Sequence, residues 1–183
     1  MSKFTKMNEP NSLTRQGILV KIKLDETTPN KSLISRFEEF ERLLHLTLPK
    51  IEREGLWISP NAQIPCLGVQ LAHMEGNLRQ YIVTNLSHQN DLRQRTLEFT
   101  VRPEISLQQL STNLLETLAQ AKNLIKQAPS RVWSEVYHVQ TFSMTRLEAC
   151  IHALEHLHYH LGQMALLIKL NRPQDLAFYP EIN

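Results

Sequence analysis

Residues 145–170 read TRLEACIHALEHLHYHLGQMALLIKL, and this stretch decides the fold class. It contains no proline, and Thr145 with Glu148 forms a capping-box pattern near its start. Leu147, Ile151, Leu154, Leu161, Ala165 and Ile168 recur at helical spacing and read as its core stripe. Pro173 marks the end. A helix is therefore expected over about Ser143 to Leu170.

Working back along the chain, three more amphipathic segments appear. Ser106 and Gln109 make a second capping-box pattern, and Leu107, Leu110, Leu114, Leu118, Ala121 and Ile125 hold one stripe until Pro129. A helix from about Ile64 to Leu86 carries Leu67, Leu71, Met74, Leu78 and Ile82. A first helix starts near Ser32, carries Leu33, Phe37, Phe40 and Leu44, and is limited by Pro49. Trp57, Pro60 and Asn61 fall in a loop, and the polar stretch from Ser87 to Arg102 has no clear period. With no strong strand pattern between the helices, the expected fold is all-α, a four-helix bundle in one domain over residues 29–183. Pro29-Asn30 breaks the pattern before it. Residues 1–28 read as an extension in which Val20, Ile22 and Leu24 alternate with Lys21 and Lys23, as in a short strand.

The chain has 183 residues, enough for one domain with a core of its own. Twenty basic residues nearly cancel eighteen acidic ones and are interspersed with them. No basic block alternates with aromatics, which argues against nucleic acid. No apolar run approaches the roughly 20 residues of a membrane span, and the first dozen residues lack an apolar signal core. Cys66 and Cys150 form neither a metal-type pair nor a disulfide framework, so a reducing cytoplasmic setting is expected. Five glycines leave no phosphate-binding loop.

Four of the eight histidines lie between positions 152 and 160. On a helix, His152, His156 and His160 fall on one stripe, each turned about 40° from the next. That stripe, Ala149, His152, His156, His160, Gln163 and Leu167, holds no formal charge, unlike a solvated helix face. His156 and His160 stand one turn apart and converge on one point, as two imidazole ligands of a metal ion do. His152 and His160 are about 12 Å apart along the axis, so His152 belongs beside such a site. His158 points into the core stripe. No glutamate follows His156, so the zincin general base is missing. Of the remaining histidines, His73 is the best third ligand. It shares an uncharged stripe with Cys66, Gln70, Asn77 and Gln80, and Gly76 beside it admits close approach by another group. Periodicity does not select it over His45, His88 and His138.

The segments His73-Met74-Glu75-Gly76-Asn77-Leu78-Arg79-Gln80-Tyr81-Ile82 and Glu155-His156-Leu157-His158-Tyr159-His160-Leu161-Gly162-Gln163 resemble the DinB/YfiT-like metalloenzymes, in particular a bacterial branch of unassigned function. Trp57-Ile58-Ser59-Pro60-Asn61 is similar to that branch's element before the second helix. Arg93, Arg95, Glu98 and Phe99 resemble its middle loop, and Asp175, Leu176, Phe178 and Tyr179 its C-terminal tail. The resemblance spans residues 30–180 and implies a four-helix bundle with a long crossover connection. It also implies a mononuclear divalent ion, zinc or nickel, held by His73, His156 and His160. Residues 1–28 depart from the family's pattern.

Around those ligands, His152, Asn77 and Gln163 are candidates to orient an imidazole or meet a substrate. Glu155 is a candidate for the same role or for a solvent salt bridge, and Arg79 for contact with an anionic substrate or for plain solvation. The expected activity is metal-dependent turnover of a small molecule, by thiol transfer with a low-molecular-weight thiol or by water activation. The alternatives are a non-catalytic metal-binding dimer acting as a sensor or interaction module, and a structural bundle without a physiological metal. Family members are often homodimers. The spare apolar positions Leu157, Met164 and Leu166 suit either a partner helix or the crossover.

Overall fold

Pro29 opens the first helix rather than breaking the chain before it. A proline at the first helical position has no N–H to leave unpaired and its φ is already helical. In the computed structural model, which describes residues 29–180, α1 runs Pro29–Thr47. The expected extension over residues 1–28, with its Val20–Leu24 strand, lies outside the described residues. Pro49 falls in a 3-10 turn, Leu48–Lys50, that ends α1. A second such turn, Arg53–Gly55, leads to Trp57. The Trp57 indole donates to the carbonyl of Ile105 at 3.0 Å, and its ring lies where a Cβ on Gly68 would stand, 2.7 Å away.

The second helix, α2, begins as Leu67–Leu78, continues through a π-helical turn, Arg79–Thr84, and closes with Asn85–Ser87. It starts three residues later than the apolar pattern implies because Pro65 disfavours helical backbone at Ile64. His88 ends it in the left-handed conformation. A crossover with the short helix α3 (Arg95–Glu98) leads to α4 (Leu107–Gln127). The Ser106 hydroxyl caps α4 by accepting from the Gln109 N–H, but the Gln109 side chain bonds Asn113, so the capping box is half made.

A 3-10 turn, Ser130–Ser134, then precedes a hairpin that the sequence pattern did not announce: β1 (Val136–Val139) pairs antiparallel with β2 (Phe142–Thr145). The last helix, α5, therefore runs Arg146–Asn171 and starts after Ser143, with a complete capping box at Thr145 and Glu148. Such short strands carry too few residues for a clear alternation.

The described residues are thus mostly helical, with one small two-stranded sheet. Helices α1 and α2 each pack against both α4 and α5. The expected stripes of α1 and α2 are buried throughout, as is that of α4 from Leu110 to Ile125. The α5 stripe needs correction. Ile151 is 41% exposed, whereas Ala149, Cys150, Ala153, Leu157, Leu161, Met164 and Leu167 are buried. The helix meets neighbours on two sides, and its small residues allow close approach, so large side chains alone mark its buried face poorly. Leu157 and Met164, candidates for a partner helix, belong to the chain's own core; Leu166 is exposed. No helix among the described residues is long and apolar enough to cross a membrane.

Candidate metal centre

Helices α2 and α5 bring three histidines together. One ligand atom from each of His73, His156 and His160 lies within 4.8 Å of the other two. Burial of Leu71, Met74 and Leu78 on α2, and of Leu157, Leu161 and Met164 on α5, fixes how the helices are turned. The histidines on the intervening faces are thereby aimed at one another. His73 and His160 are buried and His156 is half-buried.

The Nε2 atoms of His73 and His156 stand 3.0 Å apart. One proton or one cation between them satisfies both nitrogens at that separation. Two nitrogens that each sit about 2.1 Å from a shared ion are roughly 3–3.5 Å apart at square to tetrahedral angles. The three-atom group spans up to 4.8 Å, wider than that, so one ion shared by all three requires the imidazoles to move inward. The residues therefore fit a divalent cation with neutral imidazole ligands. The Nδ1 atoms of His156 and His160 are buried with no hydrogen-bond partner among the described residues.

Behind His73 stands a buried ionic chain. Its Nδ1 is 2.7 Å from Glu98 Oε2, the pairing of an Nδ1–H donor with a carboxylate, which leaves the Nε2 lone pair facing His156. Arg93 grips both oxygens of Glu98, with Nε donating to Oε1 at 2.6 Å and Nη2 to Oε2 at 2.8 Å. Arg93 Nη1 also donates to Gln80 Oε1 at 2.8 Å, and the Gln80 amide donates to Asp91. Burial pushes the Glu98 carboxyl's pKa up, but hydrogen bonds from Arg93 and His73 outweigh that and hold it below the ordinary range. Glu98 is thus a stable anion behind the site.

Gly76 is what admits it. A Cβ at Gly76 would lie 2.7 Å from Glu98 Cδ and closer still to Oε1, so any side chain there evicts the carboxylate. The π-turn that follows offsets the helix by one residue. The carbonyl of Gln80, within this turn, accepts from the Tyr137 hydroxyl at 2.9 Å, tying the hairpin to the network.

Burial keeps the α5 imidazoles neutral. It lowers His156 to about 3, with His160 and His73 adding repulsion, and lowers His160 to about 4, where Gln163 pulls the other way. Both carry free lone pairs at neutral pH. Two aromatic rings lie beside the histidines: Phe99 is 4.8 Å from the His73 ring and Tyr159 is 5.1 Å from that of His160. Arg95 in turn lies over Phe99.

The other sequence candidates fall at different distances. His152 packs at a tilt against Tyr81, with ring centroids 4.4 Å apart, and stands 6.0 Å from the His156 ring, beside the three-histidine group and outside it. Burial lowers its pKa, against the pull of Glu155. Glu155 itself is exposed. Gln163 is half-buried and acts on His160, raising its pKa against the effect of burial. Asn77 is buried and its Oδ1 has no hydrogen-bond partner among the described residues. Arg79 is held by Glu75 and Thr117, away from the histidines. His158 packs edge-on against Phe40 and donates to the carbonyl of Leu154. Of the rival ligands, His45 is exposed, His138 pairs with Ser143 in the hairpin, and His88 meets Arg146. Cys66 is a buried free thiol at the start of α2, outside the group.

From the sequence, Arg93 and Glu98 stood out only through a resemblance and Gln80 only on the His73 stripe and in the resembling segment, and neither they nor Asp91 carried a role. Their signal was indirect: a glycine beside His73 and charged residues in an otherwise aperiodic crossover. Compared with protein-family models, curated proteins and solved structures, the chain gives no significant match.

Proposed function

We propose that this protein is a metal-dependent enzyme of DinB/YfiT-like type, a four-helix bundle with a long crossover, in which His73, His156 and His160 hold one divalent ion, zinc or nickel. The observation that carries the reading is the convergence of three imidazoles, one of them backed by the Arg93–Glu98 pair. A structural histidine cluster has no need of a buried carboxylate held ionised behind it, whereas a ligand imidazole gains orientation and basicity from one. Bound there, a divalent ion supplies Lewis acidity, which polarises a carbonyl, brings the pKa of a water toward about 7, or stabilises a thiolate.

The chain's own residues set the surroundings. Glu98 fixes the tautomer of His73. Phe99 and Tyr159 pack against the rings of His73 and His160, and His152 and Asn77 are polar groups on the same two helices that suit a small substrate. The reaction we propose is thiol transfer using a low-molecular-weight thiol, or hydrolysis by activated water. Two free, buried cysteines suit a reducing cytoplasm.

Elemental analysis of untagged protein tests the centre. We expect one divalent ion per chain, lost in His156→Ala while the far-ultraviolet circular dichroism is unchanged. Unaltered metal content in that variant sinks the assignment. Thiol-transferase and hydrolase screens on the metal-loaded protein then address turnover.

One observation favours a second reading, a metal-binding homodimer without turnover. Ile151, Tyr159, Leu166 and Leu170 are exposed within one face of α5, around Gly162, where an added Cβ would meet nothing within 4 Å. Light scattering that shows a monomer at micromolar concentration excludes this second reading.

A further inference from the structure

A cavity of about 300 Å³ lies between α2, the crossover and the start of α4, and none of the three histidines lines it. Gly76, Glu98 and Arg93 line it, so the ionic chain behind His73 separates the two places.

Its charges do not cancel. Three arginines and two carboxylates line it. Arg79 is matched by Glu75, at 2.8 Å from Nε, and Arg93 is matched by Glu98. Arg102 has no side-chain hydrogen bond or ion pair among the described residues, and its Nε is buried without a protein partner. A buried donor left unpaired is costly, more so when it is charged, so an acceptor placed there relieves that cost. Leu97, Ile105 and Leu110 give the lining an apolar part, and the lining residues Leu92 and Leu97 are 85% and 50% exposed.

We propose that this cavity binds a small organic monocarboxylate, its headgroup on the guanidinium of Arg102 and its apolar body along Leu97, Ile105 and Leu110. The planar guanidinium presents two parallel donors that match the two oxygens of a carboxylate. One uncompensated cation suits one negative charge. A phosphate dianion would meet the carboxylates of Glu75 and Glu98 across the same space. A volume of about 300 Å³ lies at the small end of ligand sites, which limits the body to a short chain or single ring. This site does not depend on the metal reading.

The test is a titration of the full-length protein with octanoate, followed by calorimetry and by methyl resonances of Leu97 and Leu110. Saturable one-to-one binding is expected, with those methyls shifting. Arg102→Gln, which keeps the length and removes the charge, is expected to weaken it at least tenfold. Ala72→Leu, which fills the cavity from α2 without touching a charge, is expected to abolish it. Octanol and inorganic phosphate are expected not to saturate. The proposal is overturned by no saturable octanoate binding, by equal affinity in Arg102→Gln, or by equal binding of octanol. His156→Ala is expected to bind octanoate as the unaltered protein does, so this site and the metal centre fail separately.

Discussion

Glu98 carries the clearest single-residue consequence. Its carboxylate is shared between His73 and Arg93, and both side chains of the ion pair are buried. Glu98→Gln keeps an acceptor for His73 but removes the charge. Metal affinity should fall by roughly 10- to 100-fold, as for other partners behind a ligand imidazole. Competition with a chromophoric chelator measures it, and unchanged affinity would leave Glu98 a structural ion pair only. His156 and His160 make a prediction about pH for metal-free protein. Their pKa values lie near 3 and 4 in the folded chain, against 6.5 when free. Between those limits the unfolded chain binds more protons, so stability rises with pH across that window and levels off above about 6.5. Urea titrations at pH 5 and 7 should show the lower midpoint at pH 5, with a smaller difference in a His156→Gln, His160→Gln double variant.

At the scale of the elements, α2 is shaped by what it lacks. Gly76→Ala places a methyl group on the Glu98 carboxylate, and the carboxylate must leave. This substitution usually favours a helix by about 1 kcal/mol, so the expected result is a chain that stays helical yet loses metal affinity as Glu98→Gln does. Metal binding equal to that of the unaltered protein would show that the crossover carboxylate is not needed. The start of α5 is set by the reciprocal Thr145–Glu148 cap, with the Glu148 N–H donating to the hydroxyl at 3.2 Å. Thr145→Ala should cost about 1 kcal/mol in chemical denaturation and, because the cap lies several turns from His156, leave metal content unchanged.

At the scale of the whole molecule, one buried core among the described residues spans α1, α2, α4 and α5. Leu157, fully buried between His156 and His158, is part of it, so Leu157→Ala should destabilise the fold by about 2–5 kcal/mol in denaturant. A loss under about 1 kcal/mol would mean that α5 is turned differently and that His156 and His160 do not face His73. Much of this was legible in the chain: helix positions from the spacing of Leu and Phe, the Thr145 cap from its capping-box pattern, and the His156–His160 pair from one turn of helix. Those are local properties, set by backbone geometry within a few residues, and sequence alone determined them. The buried face of α5, the hairpin and the Glu98–Arg93 support were decided by tertiary structure. Small residues such as Ala149 and Ala153 are buried because two neighbours close on them, which no periodicity of large side chains records. His73 and His156 meet across 83 positions of chain, and Glu98 reaches His73 from a crossover without period. Such contacts depend on how helices are turned and docked, and only the packed molecule specifies that.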